Sequence, residues 1–134
     1  MRRITLPEKY QPSSEEKYMN PQHLEYFYRK LEKWQKEVKL KLSIILCSLK
    51  ENNFNISDKN EDGILMQQAT VNLKKGNRYK KLLLRIEQSM LRITRGKYGF
   101  CVKTGAKIGI ERLKIRPIST LSVEAKSHDE RYEI

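Results

Sequence analysis

Three carboxylates crowd one short stretch of this chain. Asp58, Glu61 and Asp62 fall inside Asn52–Gly63, Asn-Asn-Phe-Asn-Ile-Ser-Asp-Lys-Asn-Glu-Asp-Gly. Acids at that density can hold Mg²⁺, which often rests on only one or two carboxylates. They can deliver fixed negative charge to a partner, or they can simply keep an exposed turn in water. No nucleophile–base set accompanies them, so nucleophilic catalysis has no footing here. A second group is basic. Lys74 to Lys97 holds nine Lys and Arg against the single acid Glu87, and Arg116 and Lys126 follow downstream. Arginine can grip phosphate through two parallel hydrogen bonds, although most surface cations are merely solvated. The third group is sulfur: Cys47 and Cys101 lie on different elements, with no sign of a disulfide framework.

Positioning these groups falls to two helices. Apolar residues recur in steps of three and four at Leu24, Phe27, Leu31, Trp34, Val38, Leu42, Ile45 and Leu49. They resume at Leu65, Ala69 and Leu73, and again at Leu83, Ile86, Met90 and Ile93. That spacing is the seam of a coiled coil, with a stutter between Val38 and Leu42 that keeps Lys41 outward. The Asn-, Asp- and Ser-rich stretch 52–63 stops both helices, because such side chains compete for backbone hydrogen bonds. The reading is an antiparallel hairpin reaching roughly 40 to 50 Å at about 1.5 Å per residue, an acidic tip on a basic stem. Asn20-Pro21 predicts the first start as N-cap and first-turn proline, and that arm runs to about Lys50. The second arm begins near Glu61–Ile64 and ends near Arg95, with Gly96 after it. Gly76 interrupts it, so either a neighbour approaches closely there or the helix bends. Cys47, beside the first arm's apolar face, reads as a free packed thiol.

The flanks differ in style. Residues 1–20 are polar, with Pro7 and Pro12, and read as an extended leader that packs against the rest. Residues 98–108 read as a short hairpin turning at Gly105, and 110–115 as a helical turn stopped before Pro117. Ser119 or Thr120 caps a last helix carrying Leu121 and Val123. The chain of 134 residues has a net charge of +12, which implies an anionic partner. It contains no apolar run of membrane-spanning length and no signal-peptide stretch, so a reducing, cytoplasmic setting is expected.

Tyr98-Gly-Phe-Cys-x-x-Thr-Gly-x-x-Ile-x-x-x-Arg-Leu-x-x-x-Pro-x-x-x-Leu121 resembles the zinc-finger end of the bacterial DksA/TraR transcription factors. Tyr18-Met19-Asn20-Pro21, followed by Leu24, Phe27, Leu31 and Trp34, resembles the start of the DksA coiled coil. The likeness covers nearly the whole chain. It implies a mainly α fold: a leader over 1–20, a long antiparallel two-helix coiled-coil hairpin over 21–97, and a small module over 98–134 with a zinc-finger-like hairpin and C-terminal helix. The family's finger uses two Cys-x-x-Cys pairs. Here Cys101, Thr104, Ser122 and Ala125 stand in those places, and one thiol among hydroxyls and a methyl cannot close a tetrahedral zinc site. The expectation is a degenerate finger without zinc, held by Phe100, Ile108, Ile110, Leu113, Ile115, Leu121 and Val123.

The resemblance also implies a function. The hairpin of such proteins enters the secondary channel of RNA polymerase, and the tip acids act near its catalytic centre. The family's Asp-x-x-Asp-x-Ala tip becomes Asp58-x-x-Glu61-x-Gly63, with Asp62 added. Arg78 matches a contact to the polymerase rim. Leu82, Arg85, Arg116 and Lys126 match a pocket for guanosine tetraphosphate (ppGpp), the effector of the stringent response. The expectation is a monomeric, non-enzymatic regulator with no membrane association and no sequence-specific DNA binding. Two alternatives stand beside it: a basic coiled coil that binds nucleic acid directly, and a transcript-cleavage-type factor whose tip acids hold Mg²⁺. The basic arm lacks aromatic interleaving, which speaks against the first.

Overall fold

Asn20 starts the first helix as its spacing predicts. Its Oδ1 accepts the His23 amide at 2.8 Å, closing the N-cap over a first-turn proline. The computed structural model describes the backbone of residues 3–55, 62–123 and 125–127, and the side chains of these outside 52–55 and 62–65. Helix α1 spans Pro21–Asn55 and α2 spans Asp62–Thr94. The first arm therefore runs about a turn beyond Lys50. Helix α2 ends in a Schellman motif: the Lys97 amide donates to the Arg92 carbonyl and the Gly96 amide to that of Ile93. Gly96 takes φ 72° there, which a residue without Cβ adopts without strain. A short α3, Ile110–Ile115, follows. Among the described residues the fold is mainly helical, with one isolated antiparallel bridge, Phe100 to Lys107, and no strand.

The chain divides into two compact units, residues 1–32 with 86–134, and residues 33–85. The second unit is built from the middle of α1 and the first part of α2. They run antiparallel: Asn72 meets Ser48, and Gly76 lies against Ile45 and Leu42. The inward positions of α1 are Trp34, Val38, Leu42, Ile45 and Leu49, with Lys41 exposed. On α2 they are Ala69, Asn72, Gly76, Tyr79 and Leu83. Leu73 is 54% exposed, so it does not belong to the seam; the three-four rhythm passes through Asn72 and Gly76 instead. Helix α2 continues unbroken through Gly76, which faces Ile45 and Leu42 with room for a Cβ at ordinary contact distance. Cys47 is free but exposed, one step outside the packed face.

The first unit holds the larger core. Phe27, Leu31, Ile86, Ile93, Tyr98 and Leu113 have almost no solvent contact. The leader lies against α1. Arg3 pairs with the buried Glu25 at 3.0 Å, Arg29 pairs with the same carboxylate at 2.8 Å, and Tyr10 meets Tyr26 edge to face. Because of this cover the start of α1 is buried on more than one side, His23 and Glu25 included. Lys30 reaches across to donate to the Lys114 carbonyl at 2.6 Å, satisfying an orphan at the end of α3.

Candidate functional site

The cysteine turn is built from residues 98–109. Gly105 takes φ 74° and its amide donates to the Cys101 carbonyl at 2.9 Å, while the Cys101 amide donates to Ala106 at 2.7 Å. Tyr98 is buried and donates its hydroxyl to the Pro117 carbonyl at 2.7 Å. Tyr18 stitches the two sides: its hydroxyl donates to the Gly99 carbonyl at 2.5 Å and accepts the Gly109 amide at 2.9 Å. Gly99 is required, since a Cβ would stand 2.7 Å from the Met19 side chain. Cys101 is only 3% exposed. Burial pushes its thiol pKa up, but hydrogen bonds outweigh that and bring it down to about 6: the Thr104 hydroxyl, then the amides of Ser122, Thr104 and Lys103.

The other three ligand places have different occupations. Thr104 Oγ1 also accepts the Ala106 amide at 3.2 Å. Ser122 Oγ accepts the Ala125 amide at 3.2 Å, so Ser122, rather than Ser119 or Thr120, caps the helical backbone at Val123 and 125–127. Ala125 is a buried methyl. One thiol with two engaged hydroxyls does not fit Zn²⁺. Among the described residues no group of three His, Cys, Asp or Glu could hold a metal. The module's core also differs from expectation. Ile108, Ile110 and Leu113 are buried, but Ile115 is 80% exposed and Val123 58% exposed; Tyr98, Cys101 and Ala125 fill the interior instead.

The cationic candidates fall in both units. Arg78, Leu82 and Arg85 stand on α2 in the second unit, the arginines exposed and Leu82 half-buried. Arg116 and Lys126 belong to the first unit, and here the structure brings two distant residues together. They line a cavity of about 430 Å³ with Arg112, Ile115, Val123 and Ser127. Arg112 stands in the quoted motif without a site role; it lies on α3, and Arg116 is the residue that caps the helix after it. Asp58 and Glu61 lie outside the described residues. Asp62 opens α2, and its side chain lies outside them too. No described helix is long and apolar enough to cross a membrane.

A two-helix hairpin followed by a cysteine turn and a short helix defines a class, and comparison with known proteins places the chain in it. The sequence profile for the N-terminal domain of DnaK suppressor protein DksA matches residues 23–93. The chain belongs to the DksA family. A protein of Caulobacter vibrioides named RNA polymerase-binding transcription factor DksA is 36% identical over 124 residues, 92% of this chain and 87% of its own. The protein of that name from Escherichia coli K12 is 28% identical over 120 residues, 90% of this chain and 80% of its own. Transcription factor DksA2 from Pseudomonas aeruginosa superposes with a TM-score of 0.83 at 32% identity, covering 92% of this chain and 93% of that one.

Proposed function

We propose that this protein binds RNA polymerase through its secondary channel and modulates transcription initiation together with ppGpp, without catalysing a reaction itself. The family match across residues 23–93, carried by relatives named for polymerase binding, is the observation on which the reading rests. In this reading Asp58, Glu61 and Asp62 carry fixed negative charge to the neighbourhood of the polymerase's catalytic centre, and Arg78 meets the channel rim. Leu82, Arg85, Arg116 and Lys126 contact ppGpp, and no zinc is needed.

Asp58→Asn preserves shape and removes one charge, so it separates docking from action. The variant is expected to compete for polymerase like the wild type, yet fail to alter output from a ribosomal RNA promoter in single-round transcription. Full regulation by Asp58→Asn would make the tip charge irrelevant, and failure of the wild type to bind polymerase in a pull-down would sink the whole reading.

A further inference from the structure

Helix α1 carries a second seam on the side away from α2. Lys33, Glu37, Leu40, Ile44, Cys47 and Glu51 recur in steps of four, three, four, three and four, and all six are exposed. That is the a/d rhythm of a coiled coil. It runs in a different phase from Trp34, Val38, Leu42, Ile45 and Leu49, the side chains turned toward α2. At 3.6 residues per turn the two stripes stand on nearly opposite sides of the helix. A solvent-facing side is ordinarily charged and polar throughout. Here its middle is apolar, with Leu40 63% and Ile44 61% exposed and the free Cys47 next to them.

The order of side chains along the stripe says what covers it. Its spacing reads the same in both directions about residue 42, so an antiparallel copy of α1 meets it position for position. Lys33 then faces Glu51 of the second copy, Glu37 faces Cys47 and Leu40 faces Ile44, each layer occurring twice. A parallel copy would set Lys33 against Lys33, Glu37 against Glu37 and Glu51 against Glu51, three layers of like charge that repel. A uniformly acidic or uniformly basic surface would also meet its own sign somewhere on the stripe. Ile44, Cys47, Ser48 and Glu51 border a shallow cavity of about 330 Å³. Standing at i, i+3, i+4 and i+7, they are the corners of a hole into which a facing helix sets a knob.

We infer that the outer side of α1 is a self-association surface, on which two copies of this chain pair antiparallel about a two-fold axis beside residue 42. This pairing needs no polymerase, and it replaces the expected monomer by a monomer in equilibrium with a dimer. Residues 33–51 span about 27 Å at about 1.5 Å per residue. One helix of that length is a narrow patch beside the roughly 800 Å² per partner of a standard interface. The net charge of +12 adds a repulsion between copies that salt screens. The dimer is accordingly weak, half-formed on the order of 0.1 to 1 mM chain.

Sedimentation equilibrium of the full chain at about 0.15 M salt should show the average mass rising from 15.9 kDa toward twice that value as the chain approaches about 1 mM. Ile44→Lys changes an exposed side chain, so it should keep the helical signal while weakening association about tenfold or more. Lys33→Glu should weaken it too, and adding Glu51→Lys should restore it, because the swapped charges still face their opposites. Mild oxidation followed by peptide mapping reads the direction. In the wild type the two Cys47 thiols lie about 15 Å apart along the seam, so no Cys47–Cys47 link should form between copies. Glu37→Cys should instead join residue 37 of one copy to residue 47 of the other. A mass that stays at 15.9 kDa up to about 1 mM overturns the inference. So does a dimer that Ile44→Lys leaves unchanged, or one that links Cys47 to Cys47. If the chain stays monomeric while Ile44→Lys loses its competition for polymerase, the face belongs to the polymerase and not to a second copy.

Discussion

His23 has no solvent contact, and neither ring nitrogen has a hydrogen-bond partner among the described residues. The nearest acid oxygen, Glu16 Oε2, stands 3.8 Å from Nε2 and is already engaged by the Tyr10 hydroxyl at 2.7 Å. Burial holds the His23 pKa below its ordinary 6.5, and Glu16 offsets this only in part. The unfolded chain therefore takes up a proton that the folded chain resists. Stability from neutral His23 is full above about pH 6.5 and is lost as pH falls below it. His23→Gln should show a shallower loss of urea stability between pH 6.5 and 5 than the wild type; equal slopes would clear His23 of the effect. Cys101 acts in the next window. Its pKa falls from 9.0 unfolded to about 6 folded, so its contribution is complete above pH 9 and disappears as pH drops through 6. Cys101→Ser should flatten the stability profile between those values. Access rather than ionisation should govern labelling: exposed Cys47 reacts first with iodoacetamide at pH 7.5, and Cys101 follows only on opening. Neither residue's environment was legible in the sequence. Periodicity marks one buried face of α1, whereas the leader covers another. Cys101 owes its ionisation to amides of residues 103, 104 and 122, which only the folded turn assembles.

At the scale of elements the sequence reading reached furthest where local chemistry decides. Asn20 as cap, Gly96 as terminator, Gly105 in its turn and the short helix at 110–115 all follow from neighbours in the chain. The seam of α2 was harder. A hydrophobic pattern passes over Asn72 and Gly76 and selects Leu73, yet antiparallel pairing turns Asn72 toward Ser48 and presses Gly76 against Ile45. A Cβ at position 76 would sit 3.5 Å from Ile45 Cγ2 and 3.9 Å from Leu42 Cδ1, ordinary contact distances. Gly76→Ala should therefore stabilise the protein by up to about 1 kcal/mol through helix propensity, read as a higher denaturant midpoint with an unchanged slope. A branched residue has no such room, and Gly76→Val should lower the midpoint. If Gly76→Ala lowers it as well, the helices pack more tightly than these distances allow.

For the molecule as a whole, the expectation is a fold that stands without metal. Elemental analysis should find no stoichiometric zinc, and a chelator should leave the helical signal unchanged; one zinc per chain, or chelator-induced melting, would contradict this. The fold class was legible because two long periodic segments leave few alternatives, and the division into units at residues 32–33 and 85–86 was not, because both helices run through it. The Arg116–Lys126 cavity was half legible: family resemblance named two walls, while Arg112 and the outward Ile115 and Val123 depend on how α3 settles. Ser122 carries a consequence of a different kind. Its amide steadies the Cys101 sulfur while its hydroxyl caps the final helical segment. Replacing it by Cys would surrender the cap, at about 1 kcal/mol, while the chain still lacked two thiols. Thr104→Cys would likewise unfasten the Ala106 amide, and Ala125→Cys would press a larger atom into a filled interior. Every single step toward four thiols is a loss until the last one. Mutation can leave this sequence in many directions, but the one leading to a zinc finger begins with a valley.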